Sequence, residues 1–417
     1  MSGSHFLPKP ALYYRVGKYY NVAYMEMITF DKAYEIVMNS AFSTGTETVH
    51  FTDSYNRVLA GKVVSDIDMP PFTKSSMDGF ACRKQDLAND LEVLETIPAG
   101  NAPMKTVGIN QCSRIMTGAP VPEGADCVIM IEDTEILTSG KVRFAKTFTR
   151  ENIAVRGEDV KKGDTVLNPG IKISPQDIAV MASAGHTSVT VSRKPRIAVI
   201  SSGSELVEPI EVPGVSQIRN SNSYLLMAQV ERAGASGRYY GIAIDDEDVT
   251  YKILSKAISE NDIVLITGGV SMGDFDFVPE VLKKAGVRIL FARVAVQPGK
   301  PTTFGVHEKA IVFGLPGNPV STFLQFEMLV RPLICKMMGS DWKPLEILLP
   351  LKERFSRKFA DRLALIPVVI TADRKVLPVE FHGSAHISAI SGSSGIVLLP
   401  VGLKSIEKGE IVSVRQI

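Results

Sequence analysis

Residues 262–274 read Asp-Ile-Val-Leu-Ile-Thr-Gly-Gly-Val-Ser-Met-Gly-Asp. The apolar run predicts a strand over 262–267, and the glycines after it predict a loop that leaves the sheet at the strand's carboxyl end. Val278 to Ala285 then reads as a helix. Working outward, the same alternation continues in both directions. Arg196 to Ile200 is a predicted strand, Asn222 to Ala233 a helix, Arg238 to Ile244 a strand and Val249 to Ser259 a helix. Ala310 to Phe313 is a predicted strand followed by a long helix from Val320 to Met338. Strands alternating with helices imply a doubly wound, mostly parallel sheet covered on both faces. Ligands of such sheets sit beyond the carboxyl ends of the strands, so the loops after these strands matter most.

The flanking sequence has a different grain. Phe30, Ala33, Tyr34, Val37, Met38 and Ala41 recur at helical spacing behind Thr29, a suitable N-cap, and a short helix is predicted over Tyr55 to Leu59. Ser65 to Gly79 is dense in Pro, Ser, Asp and Gly and reads as an ordered loop. Residues 80–149 look all-β, 150–192 return to a turn, a β-like stretch and the helix Pro175 to Ser183, and 342–417 are β again. The expected class is α/β plus β in several domains. These are a discontinuous N-terminal domain of 27–70 and 150–192, an inserted β domain of 71–149, the sheet domain of 193–341, and a C-terminal small β-barrel of 342–417. A chain of 417 residues is long enough for this many cores. Residues 1–26 lack periodicity and an apolar h-region and are expected to be a leader or loose arm.

Composition excludes several classes. Lys plus Arg total 46 against 45 for Asp plus Glu, a net charge of +1, which gives no bulk field for nucleic acid or an anionic membrane. No segment has the apolar length of a membrane span, so a soluble, cytoplasmic protein is expected. Cys82, Cys112, Cys127 and Cys335 show no C-x-x-C spacing, and the six histidines do not cluster, so reduced thiols are expected rather than a disulfide framework or a zinc site.

Three strand-ending loops share one design: Ser201-Ser202-Gly203-Ser204-Glu205, Thr267-Gly268-Gly269-Val270-Ser271-Met272-Gly273-Asp274, and Gly314-Leu315-Pro316-Gly317-Asn318-Pro319-Val320-Ser321. Each offers glycines and small hydroxyls where backbone N–H groups can face an anion. A strand–helix turn needs glycine anyway, but three at one sheet edge point to a ligand. No G-x-G-x-x-G follows a strand, which counts against a dinucleotide dehydrogenase. In Gln297-Pro298-Gly299-Lys300-Pro301 two prolines stiffen a turn that presents the Lys300 ammonium to a phosphate or oxyanion. Glu205, Asp245 and Asp276 follow strand ends on the same edge. Carboxylates beside phosphate cradles fit Mg2+, which takes one or two of them plus substrate phosphates. A solvated acid or an N-cap is the plainer reading of any one of them.

The stretches Pro70 to Gly79, ending Ser-Met-Asp-Gly, Arg114 to Gly124, Arg156-Gly157-Glu158-Asp159, Gly268 to Gly273, Pro298 to Pro301 and Gly314 to Ser321 occur in an order that resembles the MoeA/gephyrin family of molybdopterin molybdenumtransferases, over 27–417. The resemblance implies a MogA-like sheet domain and a homodimer with an active cleft between one subunit's sheet domain and the partner's β domain. Its substrates would be adenylated molybdopterin, a pterin nucleotide, and molybdate or tungstate, with Mg2+-dependent release of AMP. Other molybdenum-cofactor assembly proteins are implied as further partners. Matched by motif, Asp78 and Thr117 would act from one subunit, and Glu205, Asp245, Asp276 and Lys300 from the other. Gly268, Gly269, Ser271, Gly273, Pro298, Gly299, Gly314, Gly317, Asn318 and Ser321 would line the pterin-nucleotide site, and Ser384 is a further carried-over position. Three positions depart from the pattern. Thr73-Lys74 stands for an Asp-Asn pair, Ser204 for an Asp, and Gln297 for a Lys found in some members. An adenylyltransferase of the MogA type and a non-catalytic gephyrin-like scaffold are the alternatives. The flanking domains count against the first, and Asp78, Asp276 and Lys300 against the second.

Overall fold

The computed structural model describes residues 26–269, 278–379 and 386–417. Two compact units emerge, one of Thr46–Ser192 and one of Arg193–Ile417 with the segment up to Gly45.

In the larger unit a six-stranded sheet runs in the order Ser236–Ala243, Arg196–Ser202, Ile263–Thr267, Ile311–Leu315, Thr303–Val306, Arg288–Phe291. The first four strands are mutually parallel and the last two pair antiparallel, closing the sheet with a hairpin-like edge. Ile263, Val264, Leu265 and Ile266 are all fully buried, as a strand covered on both faces requires. Each such side chain contributes roughly 1.5–3 kcal/mol by leaving water. Glu247–Glu260 and Val278–Lys284 supply Leu254, Ala257, Ile258, Val281 and Leu282 to a core shared with the strands. Asn222–Arg232 packs against Pro319–Gln325. The long predicted helix is present, but its middle turn, Phe326–Val330, widens to π geometry before Arg331–Met337 resumes. Phe30–Asn39 forms as predicted, with the Thr29 hydroxyl accepting from the Lys32 amide.

The C-terminal strands form a second sheet, in which Glu346–Pro350, Ile411–Gln416, Gly395–Leu399 and Leu363–Ile370 are successive neighbours and Val376–Pro378 pairs with Leu363–Ile370. Among the described residues its ends meet at one bridge, Leu351 with Val376, where a barrel would have a continuous ladder. Beyond Leu363–Ile370 the sheet gains a short edge strand from the other sheet's territory: Val296–Gln297 runs parallel to it, Val296 opposite Leu363 and Gln297 opposite Ala364.

The smaller unit centres on a four-stranded sheet in the order Glu92–Ile97, Gln111–Ile115, Gly79–Cys82, Cys127–Met130. Beside it Thr46–His50 pairs with Ser188–Ser192, over a core of Leu59, Val63, Ile173, Met181 and Val191. The helix expected over Tyr55 to Leu59 is not there. Phe51–Ser54 makes a single 3-10 turn, Asn56 takes φ +63°, and Val58 and Leu59 bridge to Lys172 and Val191. Burial of Val58 and Leu59 in that bridge overrides a weak helical pattern. All four cysteines are buried, with the Cys82 and Cys127 sulfurs 3.6 Å apart. No helix among the described residues is long and apolar enough to cross a membrane.

Candidate functional site

From Arg196–Ser202 the chain crosses to Ser236–Ala243 on one flank, then returns past its start to Ile263–Thr267 on the other. Loops leaving the two central strands therefore diverge, and a crevice opens at their carboxyl ends. There Ser202, Glu205, Thr267, Gly268, Gly317 and Asn318 line a cavity of about 340 Å³. Gly268 sits at φ +88°, and a Cβ on it would lie 2.2 Å from the Ser202 carbonyl oxygen, so no other residue fits. Gly317 faces it, its would-be Cβ 3.7 Å from the Gly268 Cα.

Hydrogen bonds brace these loops against one another. Asn222 Nδ2 donates to Thr267 Oγ1 at 3.0 Å and to the Gly317 carbonyl at 2.7 Å, while Thr267 Oγ1 donates to the Pro316 carbonyl at 2.9 Å. Thr322 Oγ1 donates to the same Pro316 carbonyl. The loop that follows Arg196–Ser202 is clasped to Asp245. Ser204 N–H donates to Asp245 Oδ2 at 3.0 Å, and Ser204 Oγ accepts from the Asp245 amide at 2.9 Å. Ser204, the departure from an Asp, thus orients one of the two described carboxylates instead of adding another. Glu205 is exposed, folds its carboxylate back over Gly203 and has no ion pair among the described residues. Two acids on one edge, each with an oxygen to spare, fit an Mg2+ that draws its other ligands from phosphate and water. Asp276, Ser271, Gly273 and Ser384 lie outside the described residues.

A second cavity of about 560 Å³ adjoins the first, and Gly317 and Asn318 line both. One side is Gln297, Pro298, Gly299, Lys300 and Pro301; the other is Arg357, Arg362 and Ala364. The parallel pairing of Val296–Gln297 with Leu363–Ile370 is what brings these sides together. Amides of Val294 and Thr302 both donate to the Lys300 carbonyl at 3.0 Å, fixing its backbone, while its side chain is exposed and unpaired among the described residues. Arg357 is a different cation. Its guanidinium donates to the carbonyls of Leu403, Arg362 and Pro400 at 2.8, 2.6 and 2.5 Å, and burial pushes its pKa down. It is committed to holding the C-terminal loops. Arg362 lies 3.4 Å from Asp361 and reaches the Val296 carbonyl at 3.4 Å. Lys300 is therefore the cation best placed for an anion. Ser321 is buried on the wall of this cavity, and Gly314 is buried within its strand.

Asp78 and Thr117 belong to the smaller unit and meet each other. Asp78 Oδ1 accepts from the Thr117 amide at 2.6 Å and from Thr117 Oγ1 at 2.7 Å. The Thr117 amide, then its hydroxyl, hold the Asp78 carboxyl below the usual carboxylate range, with a smaller pull from Arg114. Gly79 beside it is obligatory, because a Cβ would come 1.9 Å from the Ile129 carbonyl oxygen across the sheet. The Arg156-Gly157-Glu158-Asp159 turn holds the 70–79 loop in place. Its Gly157 and Asp159 amides donate to the Pro70 and Met69 carbonyls at 3.0 and 3.1 Å, and its Arg156 amide donates to Thr73 Oγ1 at 3.2 Å. Arg156 Nε also pairs with Asp68 at 2.7 Å. Thr73, another departure, is thus an acceptor in that lock.

Sequence reasoning singled out neither Asn222 nor Arg362, and named Ser202 only as part of its loop. The polar run Arg219-Asn220-Ser221-Asn222 opening an otherwise amphipathic helix is the signal that could have flagged the first.

Comparison with known proteins agrees in extent and order. The family description "MoeA N-terminal region (domain I and II)" matches residues 28–185, "Probable molybdopterin binding domain" matches 198–336, and "MoeA C-terminal region (domain IV)" matches 349–417. A Staphylococcus epidermidis protein named molybdopterin molybdenumtransferase is 37% identical over 399 residues, 93% of this chain and 95% of that one. A Staphylococcus aureus protein of the same name is 36% identical over 398 residues, again 93% and 95% of the two chains. The crystal structure of the molybdopterin biosynthesis MoeA protein from Pyrococcus horikoshii OT3 superposes with a TM-score of 0.82 at 29% identity, covering 94% of this chain and 100% of that one.

Proposed function

The chain belongs to the MoeA family, and we propose that it is a molybdopterin molybdenumtransferase, inserting molybdenum into adenylated molybdopterin with Mg2+-dependent release of AMP. The observation that carries the proposal is the pair of adjoining cavities with Gly317 and Asn318 in common. One is lined by the glycine loops and Glu205, suited to a phosphoanhydride and its cation, and the other by Lys300, suited to an oxyanion. Molybdate or tungstate, of like size and charge, is the oxyanion substrate.

The roles follow from charge and donor type. Glu205 and Asp245 would hold Mg2+, which when bound neutralises the phosphoanhydride and the charge left on departing AMP. Ser204 holds Asp245 through two hydrogen bonds, its N–H donating to the carboxylate and its hydroxyl oxygen accepting from the Asp245 amide. The Gly317 amide would cradle phosphate oxygens, with no side chain on it or on the facing Gly268 to hold them off; the Gly268 amide itself is spent on the Leu315 carbonyl at 3.3 Å. Lys300 offsets the charge of molybdate as it approaches the dithiolene, and its rigid backbone means little reorganisation accompanies that contact. Of the other carried-over residues, Asp78 and Thr117 would reach the cleft from the partner subunit of a homodimer. Their mutual hydrogen bonds keep Asp78 ionised and fixed.

The test is to incubate the protein with adenylated molybdopterin, Mg2+ and molybdate or tungstate, and follow AMP. Release that needs both the cation and the oxyanion supports the reading. AMP release indifferent to either, or none at all from a folded dimer, overturns it.

A further inference from the structure

Two side chains on the wall of the smaller cavity carry polar atoms without partners. Ser202 is 3% exposed and Asn222 9%, and among the described residues neither Ser202 Oγ nor Asn222 Oδ1 has a hydrogen-bond partner. A buried polar atom left unpaired costs about 1–3 kcal/mol, so an orphan pair in one cavity calls for an explanation.

The orientation of Asn222 is fixed by chemistry. Its Nδ2 faces the Gly317 carbonyl at 2.7 Å, which can only accept, and Thr267 Oγ1 at 3.0 Å, whose own proton goes to the Pro316 carbonyl. Turning the amide over would set its oxygen against a carbonyl oxygen, so the orphan is the acceptor. A carbonyl-type acceptor repels phosphate and molybdate oxygens. The two buried acceptors therefore suit N–H donors of a ligand, and the phosphates of the proposed substrate fall to the Gly317 amide and the cation at the exposed Glu205. At about 340 Å³ this cavity is within the roughly 300–1,000 Å³ of small-molecule sites.

We propose that the smaller cavity takes the N–H-bearing edge of an amino-substituted heteroaromatic ring, with Asn222 Oδ1 and Ser202 Oγ as its acceptors. This rests on the adenylated pterin being the substrate, and either of that molecule's two rings, the pterin or the adenine, supplies the chemistry. Ser202 and Asn222 are then specificity residues: they read the ring, and the glycine loops hold the phosphates.

Binding to the full-length protein tests this with pterin, AMP and inorganic pyrophosphate as probes. Ser202→Ala is the informative variant, because its hydroxyl has no protein partner and removing it leaves the fold as stable or slightly more so. The expected result is that one ring probe binds the variant roughly tenfold more weakly, about one hydrogen bond in a desolvated site, while pyrophosphate affinity and melting temperature hold. Pterin affected and AMP not assigns the cavity to the pterin, and the reverse assigns it to the adenine. In the wild-type protein, replacing the affected ring's amino group by hydrogen should cost a similar factor. The proposal is overturned if both ring probes keep their wild-type affinity in Ser202→Ala, if pyrophosphate weakens equally, or if neither ring binds. Unchanged ring binding alongside normal AMP release would sink this assignment alone, whereas absent AMP release in the wild type would sink the proposed reaction.

Discussion

Gly268 and Gly317 face each other at the crevice, yet alanine should do opposite things at the two positions. At Gly268 the backbone sits at φ +88° and a Cβ would lie 2.2 Å from the Ser202 carbonyl oxygen. Left-handed backbone costs an L-residue about 1–2 kcal/mol, and forcing an extra carbon against main chain costs about 1–3 kcal/mol more. Gly268→Ala should therefore lose roughly 2–5 kcal/mol. For a unit of this size that lowers the melting temperature by roughly 5–15 °C. Gly317 has no positive φ, and its Cβ would meet only the Gly268 Cα, at the ordinary distance of 3.7 Å. Gly317→Ala should stay within about 1 kcal/mol of wild type in stability. Its methyl would nevertheless stand on the wall common to both cavities and lower kcat/KM for AMP release roughly tenfold, about 1.4 kcal/mol. Calorimetry on the two variants, with the activity assay alongside, separates the effects. Equal melting temperatures, or a Gly317→Ala that melts earlier than Gly268→Ala, would refute the reasoning.

Further expectations concern charge. Glu327 is 2% exposed and accepts from Gln229 at 2.7 Å, from Arg331 at 2.8 Å and from Arg232. Glu327→Ala should cost about 3 kcal/mol, the low end for breaking a buried pair because Arg232 is partly solvated, read as a fall in denaturant midpoint. Thr117→Val keeps the amide bond to Asp78 and removes the hydroxyl, so the Asp78 pKa should rise toward the ordinary carboxylate value, visible by carboxyl-carbon NMR. Since the depressed pKa in the wild type favours folding above the unfolded value and loses that favour as pH falls through the folded one, the variant's activity should begin to fall at higher pH than wild type. Lys300→Met should raise the molybdate concentration needed for half-maximal AMP release at least tenfold while leaving AMP affinity alone, measured by titration. If the site is shared between subunits, mixing unfolded Asp78→Ala and Lys300→Ala chains and refolding them together should restore activity that neither has alone, because hybrid dimers keep one intact site.

What the sequence disclosed was local. Thr29 before an apolar 3.6-residue period announces the helix Phe30–Asn39, and the unbroken run Ile263 to Ile266 announces a strand buried on both faces. The glycine loops were legible because positive φ and close backbone approach leave few alternatives to glycine. The hidden features depend on distant partners. Nothing in Val296-Gln297 foretells pairing with Leu363-Ala364, yet that pairing brings Lys300 and Arg362 onto one cavity. Tyr55 to Leu59 carries a helical spacing that the bridges to Lys172 and Val191 overrule. Arg357 looks like any surface arginine until three carbonyls converge on it. Likewise Asn222 reads as a helix start, and only its bonds to Thr267 and Gly317 reveal the acceptor left over.

The most direct test is anomalous diffraction at the molybdenum edge from crystals grown with the adenylated substrate and molybdate. The account predicts a molybdenum peak in the cavity lined by Pro298, Lys300 and Ser321, with the substrate's phosphates on the far side of Gly317 and Asn318. A peak at a different surface, with the phosphates away from both cavities, would contradict it.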